Sequence, residues 1–294
     1  MKGELSSVGE GASGKDVKLE FMPLDLASLS SVKQFTVAFL ERNLPLHILI
    51  NNAGIAWLPL EKTEDGYELH MQVNHLSHFL LTLELLPVLE STGRETGDVR
   101  VVFVSSSTHS WASWDPDSLT GVTNYSRLKT YPKTKLYNIM AAHAFQRRLP
   151  DSAITFSSLH PGMVSSYPSE KVNTSIVQGF SDFKTLKYLA GSFMWVARTP
   201  KEGAATSINC AVNPQLNSRQ CLYYDSCRPT NSSADSRNEG YQEVLWEKSI
   251  EMVKHFLSSA TLAKYGGAGS PSSAPPQTEQ TEPKTTPLPA EDSH

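Results

Sequence analysis

The segment "YPKTKLYNIM" sets the phenol of Tyr131 and the ammonium of Lys135 at i and i+4. On a helix this spacing puts both heads on one face, so they converge on one small volume. An ammonium beside a phenol favours the phenolate and draws the phenol's pKa toward a range useful for proton transfer. The pair is a candidate acid/base device, although a solvated helix face displays the same two residues without any chemistry. Pro132 suits the first turn of a helix, where its missing N–H has no partner to lose, so the helix is expected to open at Tyr131.

A device of this kind needs neighbours to hold it, and the flanking chain supplies them in a regular order. Between about Val17 and Leu262 strands and helices alternate, with no internal repeat. "KLEFMPLDL" reads as a strand, and "SLSSVKQFTVAFLER" as a helix with Leu29, Val32, Phe35 and Phe39 on one face. "LHILINNAG" and "VRVVFVSSS" are short apolar runs ending in small polar residues, as buried parallel strands do. Between them lies the long helical stretch "GYELHMQVNHLSHFLLTLELLPVLE", and "AITFSSLHPG" is a further strand. The β-α-β-α order predicts an α/β fold, a parallel sheet with helices on both faces. Ligands in such sheets bind beyond the carboxyl ends of the strands. Asp25, Asn51 to Gly54, Ser105 to Ser107, and Pro161 with Gly162 occupy those ends, which predicts a shared site there.

Composition excludes several other functions. Hydrophobic residues at 39% and charged residues at 19% describe an ordinary globular chain, and a net charge of -4 without a basic stripe argues against nucleic acid. The cysteines, Cys210, Cys221 and Cys227, form neither a disulfide framework nor zinc spacing, which suits a reducing, cytoplasmic setting. Sequons at Asn124, Asn173 and Asn231 matter only in a secreted chain. The start carries no apolar run, and "YLAGSFMWVA" is too short to span a bilayer. The stretch from Gly266 onward is rich in proline, serine, threonine and glutamate and is expected to be a disordered tail over 266–294. Gly9, Gly11 and Gly14 match a dinucleotide glycine pattern, and Gly9 to Lys15 nearly spell a P-loop. Neither has the strand-turn-helix context that phosphate binding needs, so 1–16 reads as a flexible lead-in. His70, His75 and His78 share one helix but lack the carboxylate of a zinc motif, so they read as packed or hydrogen-bonded residues, with no metal expected. His109 and His160 are expected to line the site.

Taken in order, Asp25-Leu26, "NNAG", Asn74 in "QVNHLSHF", "VSSS", "YPKTK" and "HPGMV" resemble the short-chain dehydrogenase/reductase family over about Leu19 to Lys248. "LHILINNAG", "VNHLSHFLL", "VRVVFVSSSTH" and "TPKEGAATSI" look most like the branch that holds retinol dehydrogenases and the WW domain-containing oxidoreductase. The resemblance implies a Rossmann-like doubly wound parallel sheet over 17–262. It also implies hydride transfer between NADP(H) or NAD(H), with NADP slightly favoured, and an alcohol or carbonyl on a lipophilic substrate of retinoid, steroid or polyprenoid kind. By the same resemblance Tyr131 is the general acid/base, and Lys135 lowers its pKa and bonds the nicotinamide ribose. Ser106 stabilises the substrate oxygen, and Asn74 holds a water linking Lys135 to solvent. Asp25 and Leu26 meet the adenine edge, with helix capping as the plainer role for Asp25. Asn52, Ala53 and Gly54 let the cofactor approach closely, and Pro161, Gly162 and Val164 lie along the nicotinamide. Thr134 and Ser166 depart slightly from the family pattern.

The larger departure lies at the front. The family's first strand, glycine-rich turn, helix and second strand are not recognisable ahead of "KLEFMPLDL", which leads to the expectation of an amino-terminally truncated chain lacking the first β-α-β segment. Without that segment, "KLEFMPLDL" and "LHILI" are expected to lose neighbours and expose apolar surface. Two readings follow: an oxidoreductase, or a catalytically inactive regulatory form that binds a protein partner or a second copy through the exposed edge. A membrane-associated parent, of endoplasmic reticulum or mitochondrion, is compatible with the resemblance. The apolar segment "VNTSIVQGFSDFKTLKYLAGSFMWVA" is expected to line the substrate pocket.

Overall fold

A computed structural model describes residues 18–122, 125–162, 198–216 and 222–266. The expected lead-in, Val164, the apolar segment 172–197 and the tail beyond Gly266 lie outside the described residues. Five strands form one sheet in the order β1 (Ile48–Asn51), β2 (Val99–Val104), β3 (Ile154–His160), β4 (Leu222–Asp225) and β5 (Arg228–Thr230). The first four run parallel, with Asn51 beside Phe103 and Val104 beside Leu159 in register. The fifth returns antiparallel from β4. Parallel register is what brings the small polar strand ends of β1, β2 and β3 to one edge of the sheet.

Alternation along β2 divides the core in two. Val101 and Phe103 join the larger cluster beneath α3 (Ser77–Thr96) and α4 (Arg127–Arg148), whereas Val102 and Val104 meet α5 (Pro200–Val212) through Cys210 on the opposite face. Phe145 anchors the first cluster, stacking on Phe156 at 5.2 Å between ring centres and meeting Trp246 edge-on at 4.8 Å. Helix α1 (Leu29–Leu40) packs outside α3. Its start is fixed by Ser28, whose hydroxyl accepts the Ser31 N–H, and Leu29 and Val32 are fully buried, as its apolar stripe predicts. Among the described residues, no helix is long and apolar enough to cross a membrane.

Three expectations need correction. "KLEFMPLDL" forms no strand over its described residues, and Leu19 and Phe21 are 65% and 82% exposed. A strand exists only within a ladder, and among the described residues none lies beside it. The helix carrying Tyr131 opens one turn earlier, at Arg127, because the Ser126 carbonyl accepts the N–H groups of Lys129 and Thr130. Pro132 therefore lies inside α4, not in its first turn. The long helical stretch is also not uniform: a short α2 (Leu69–Met71) passes through a π-helical turn, Gln72–Leu76, before α3.

Candidate active site

Two hydroxyls and a lysine join the end of β2 to α4. The Ser105 hydroxyl donates to the Lys135 carbonyl at 2.7 Å, and the Lys135 ammonium donates back to the Val104 carbonyl at 3.0 Å. Ser105 is thus a structural staple. Its neighbour Ser106 is free for chemistry: its oxygen accepts from the Thr108 N–H at 3.2 Å and from the Thr108 hydroxyl at 3.0 Å. With both lone pairs taken, the remaining function of that hydroxyl is donation, and its partner is the Tyr131 phenol. Ser107 begins a 3-10 turn, Ser107–Trp111, for which Ser106 is the cap.

Tyr131 and Lys135 share one face of α4, with the ammonium 5.6 Å from the phenol ring centre. Their electrostatics differ from the sequence expectation. Burial raises the Tyr131 phenol above its ordinary range, while the Ser106 hydrogen bond pulls the other way. Lys135 is not among the causes of that shift, and burial draws its own ammonium down to about 8.

Asn74 occupies the middle of the π-helical turn. Such turns interrupt the regular ladder and recur at functional positions because they turn one side chain out of helical phase. The Asn74 carboxamide uses this freedom to clamp the chain leaving β1. Its oxygen accepts the Ile55 N–H at 2.8 Å, and its nitrogen donates to the Ile55 carbonyl at 2.9 Å and to Thr134 at 3.0 Å. Thr134 in turn donates to the Tyr131 carbonyl at 2.8 Å, so one asparagine ties the β1 exit to the turn of α4 that carries Tyr131. Gly54 closes the group. A Cβ there would lie 3.1 Å from the Asn74 carboxamide oxygen and 3.3 Å from the Lys135 ammonium, so a side chain would push apart the two groups it separates.

The remaining predicted residues fall in two places. Asn52 and Ala53 are exposed beside Gly54 at the end of β1, and Pro161 and Gly162 follow β3. Gly162 has φ +87, and the Arg198 side chain lies where its Cβ would go while donating to the Pro161 carbonyl at 3.1 Å. Asp25 and Leu26 belong to another neighbourhood. The Asp25 carboxylate accepts the Ala27 N–H in a local turn ahead of α1, where Ser28 rather than Asp25 caps the helix. Leu26 is a core residue whose carbonyl accepts from the Ser77 hydroxyl at 2.6 Å.

The family profile for short chain dehydrogenases matches residues 3–176, more than half of the chain. Polyprenol dehydrogenase of Danio rerio is 37% identical over 238 residues, covering 80% of this chain and 71% of that protein. Retinol dehydrogenase 11 of Homo sapiens is 34% identical over 252 residues, covering 86% and 74%. The chain belongs to the short-chain dehydrogenase family. Among solved structures, an uncharacterized protein from Mycobacterium paratuberculosis matches with a TM-score of 0.57 at 28% identity, covering 79% of this chain and 74% of that one. A short-chain dehydrogenase is an oxidoreductase, and its Rossmann-like sheet is the one assembled here.

Sequence reasoning missed several residues that position this dehydrogenase's site. His109 is not merely a lining residue: its Nδ1 donates to the Ser106 carbonyl at 2.6 Å and its Nε2 accepts the Ser233 N–H at 3.1 Å, fixing the turn that presents Ser106. Thr108 orients the Ser106 hydroxyl. The three clustered histidines are packed, as expected: His70 bonds Glu68 at 2.6 Å, His75 bonds Ser249 at 2.9 Å, and His78 bonds the Asn74 carbonyl at 3.2 Å. Trp57, absent from the sequence-derived site, lies 5.0 Å from the Tyr131 ring, centre to centre. An indole directly after Ala56, outside any recognisable motif, carried no signal; only the fold brings it to the phenol.

Proposed function

We propose that this chain interconverts an alcohol and a carbonyl compound with NAD(P) as the hydride partner, on a lipophilic substrate. The observation that carries the reading is the convergence of Ser106, Tyr131, Lys135 and Asn74 on one rim beyond β1 and β2. The residues fit a nicotinamide cofactor on a point of geometry: Gly54 has no side chain to hold the Lys135 ammonium and the Asn74 carboxamide away from the end of β1, which sets the ammonium beside the exposed Asn52 and Ala53. Lys135, Tyr131, Asn52, Ala53, Gly54, Pro161, Gly162 and Val164 would hold its nicotinamide half, and Asp25 with the Leu26 backbone its adenine end. When bound, the nicotinamide supplies or takes up the hydride.

The chain's own part is the proton and the charge. During reduction the Tyr131 phenol gives its proton to the substrate oxygen, and during oxidation the phenolate takes it back. Ser106, its lone pairs already engaged by Thr108, would turn its one proton from the Tyr131 phenol to that same oxygen and stabilise the alkoxide as charge develops. Lys135, with its ammonium 5.6 Å from the phenol ring centre, would favour the phenolate against the cost of burial as the proton leaves. Asn74, held rigidly by Ile55 and Thr134, keeps Lys135 and a relay water in line with solvent. The names of the relatives, polyprenol and retinol dehydrogenases, support an apolar substrate.

A second reading rests on a separate observation. Ile48 and Ile50 on β1 are 38% and 41% exposed. An apolar strand margin is a template for pairing, which favours a regulatory form that binds a partner or a second copy there. Titration of tryptophan fluorescence with NADPH and with NADH separates the two, since the chain has five tryptophans. Quenching at micromolar cofactor supports the enzyme; absence of binding together with a monodisperse protein complex supports the partner form. For the mechanism, Tyr131→Phe should lower turnover by about 10³-fold while sparing cofactor binding. Turnover that survives the substitution would remove Tyr131 from its assigned role.

A further inference from the structure

Trp57 combines three observations that no catalytic role assigned above explains. Its backbone has φ +55, in the left-handed region that a bulky side chain occupies only when its surroundings compel it. Its ring leans on the Tyr131 ring at an angle of 51°, and its side chain remains half-buried rather than sealed. Finally, the chain around it is tied down from several directions. The Arg127 guanidinium donates to the Trp57 carbonyl, and the Tyr125 hydroxyl donates to the Leu58 carbonyl.

The third tie is the most costly to build. The Leu58 N–H donates to His70 Nε2 at 3.2 Å, so the proton of that imidazole sits on Nδ1 and is donated to Glu68 at 2.6 Å. Both side chains are wholly buried. Glu68 also accepts the Met71 N–H at 2.9 Å, and Gly121, at φ +73, leaves the space it needs: a Cβ there would lie 2.5 Å from the Glu68 Cβ. The buried pair satisfies two backbone amides: the Glu68 carboxylate caps α2 through the Met71 N–H, and the imidazole it orients reaches across to the Leu58 N–H of the loop. Their effect is to fix Leu58, and with it the strained residue before it.

We propose that Trp57 is a specificity-determining wall of the substrate site, against which the carbon skeleton next to the reacting oxygen lies, and that the Glu68–His70 pair positions it. An indole face beside the phenol selects flat, unsaturated carbon over flexible saturated carbon, since π-faces favour stacking over mere apolar contact. The assignment rests on the oxidoreductase reading for the place of the substrate oxygen at Tyr131, and it goes beyond that reading by naming what discriminates among alcohols. His70 and Glu68 are positioning residues; they act through Trp57.

The test measures binding apart from turnover. Two primary alcohols of equal chain length, one with a conjugated diene next to the carbinol and one saturated, are titrated calorimetrically into the full chain with NADPH present. With reduced cofactor the alcohol has no hydride acceptor, so only binding is read. The wild type should bind the unsaturated alcohol about tenfold more tightly, Trp57→Ala should reduce that preference to about twofold, and Trp57→Phe should largely restore it. His70→Gln should shift the preference in the direction of Trp57→Ala. His70→Gln also serves as the second variant, because Trp57 itself is then unchanged. A preference kept by both Trp57→Ala and His70→Gln, or no preference in the wild type, overturns the proposal. The outcome is separate from the oxidoreductase reading: discrimination without turnover on NADP+ would defeat that reading alone, and turnover without discrimination would defeat this one alone.

Discussion

On the β2 side of strand β1 the polar groups interlock. Asn51 donates to Thr82 at 2.9 Å, Asn74 clamps Ile55 through both backbone groups, and Ser105 and Lys135 exchange hydrogen bonds with the facing backbone. On the other side, Ile48 and Ile50 reach solvent, and Leu19 and Phe21 lie exposed on a segment that joins no ladder. Among the described residues, the contacts that hold Ser106, Tyr131, Lys135 and Asn74 come from α4, the π-helical turn, the chain leaving β1 and the end of β2, and none comes from the outer side of β1. Perturbations on the two sides should therefore separate: one set should change chemistry and stability, the other association.

Among single substitutions, the largest effect on stability is expected at Asn74. Asn74→Ala removes all three carboxamide hydrogen bonds and strands the part-buried Ile55 N–H and C=O, together with Thr134. At about 1–3 kcal/mol for each buried group left unpaired, the loss of stability should be about 3 kcal/mol, read by urea denaturation. Turnover should fall by about 10²-fold, because Gly54 and Lys135 would no longer be held in register. A variant as stable as the wild type would mean that the β1 exit is fixed by something other than this clamp.

An acid titration comes next and probes the same side. Burial lowers His75 to about 3 and His78 to about 4; the neighbouring His78 adds to the first shift and Lys135 to the second. His143 on α4 is lowered to about 4, again by burial first and then by Arg147 and Arg237. Each ring is neutral when folded, and the unfolded chain binds the proton more readily. The stabilisation is therefore complete above the unfolded value near 6.5 and declines as pH falls from there toward 4. For His75 and His78, both almost fully buried, the loss is of the order of 2 kcal/mol each by pH 4.5. Because both rings flank Asn74, near-ultraviolet circular dichroism should report the surroundings of Asn74 and Tyr137 opening before helix content falls. A midpoint of denaturation that stays level from pH 7 to 4.5 would show that these rings do not carry the pH dependence.

What the sequence disclosed follows the same division. Short apolar runs and the small residues at strand ends located β1, β2 and β3 and the rim they share; β2 and β3 are buried on both faces, whereas β1 carries the same run with Ile48 and Ile50 exposed. The i, i+4 spacing of Tyr131 and Lys135 was sufficient to place them on one face. Ser126 marks the true start of α4, but its side chain makes no cap bond and no Glu or Gln follows to complete a capping box, so Pro132 is the stronger signal and drew the boundary downstream. The π-helical turn left no trace, because an inserted residue in a helix changes the phase of side chains without changing their types. Nor could Trp57 be found, since a left-handed tryptophan is dictated by Arg127, Tyr125 and His70 from distant parts of the chain. "KLEFMPLDL" has a strand's composition, yet composition gives only a readiness to pair, and the ladder needs a neighbour.

The smallest expected effect lies on the outer side. Ile50→Lys places a charge on an exposed position of β1 whose side chain already meets water, so its effect on stability should stay within about 0.5 kcal/mol. A lysine at a strand margin opposes pairing with another chain, because the incoming strand would have to desolvate the ammonium. Sedimentation velocity at micromolar concentration should show the wild type associating and the variant shifted toward the monomer, with turnover or cofactor binding altered by less than about twofold. If turnover fell in step with association, the two margins of β1 would be coupled, and the site would depend on a contact across the strand's outer edge. If the wild type sedimented as a monomer under the same conditions, the exposed isoleucines would not be a pairing surface, and the partner reading would lose its only structural support.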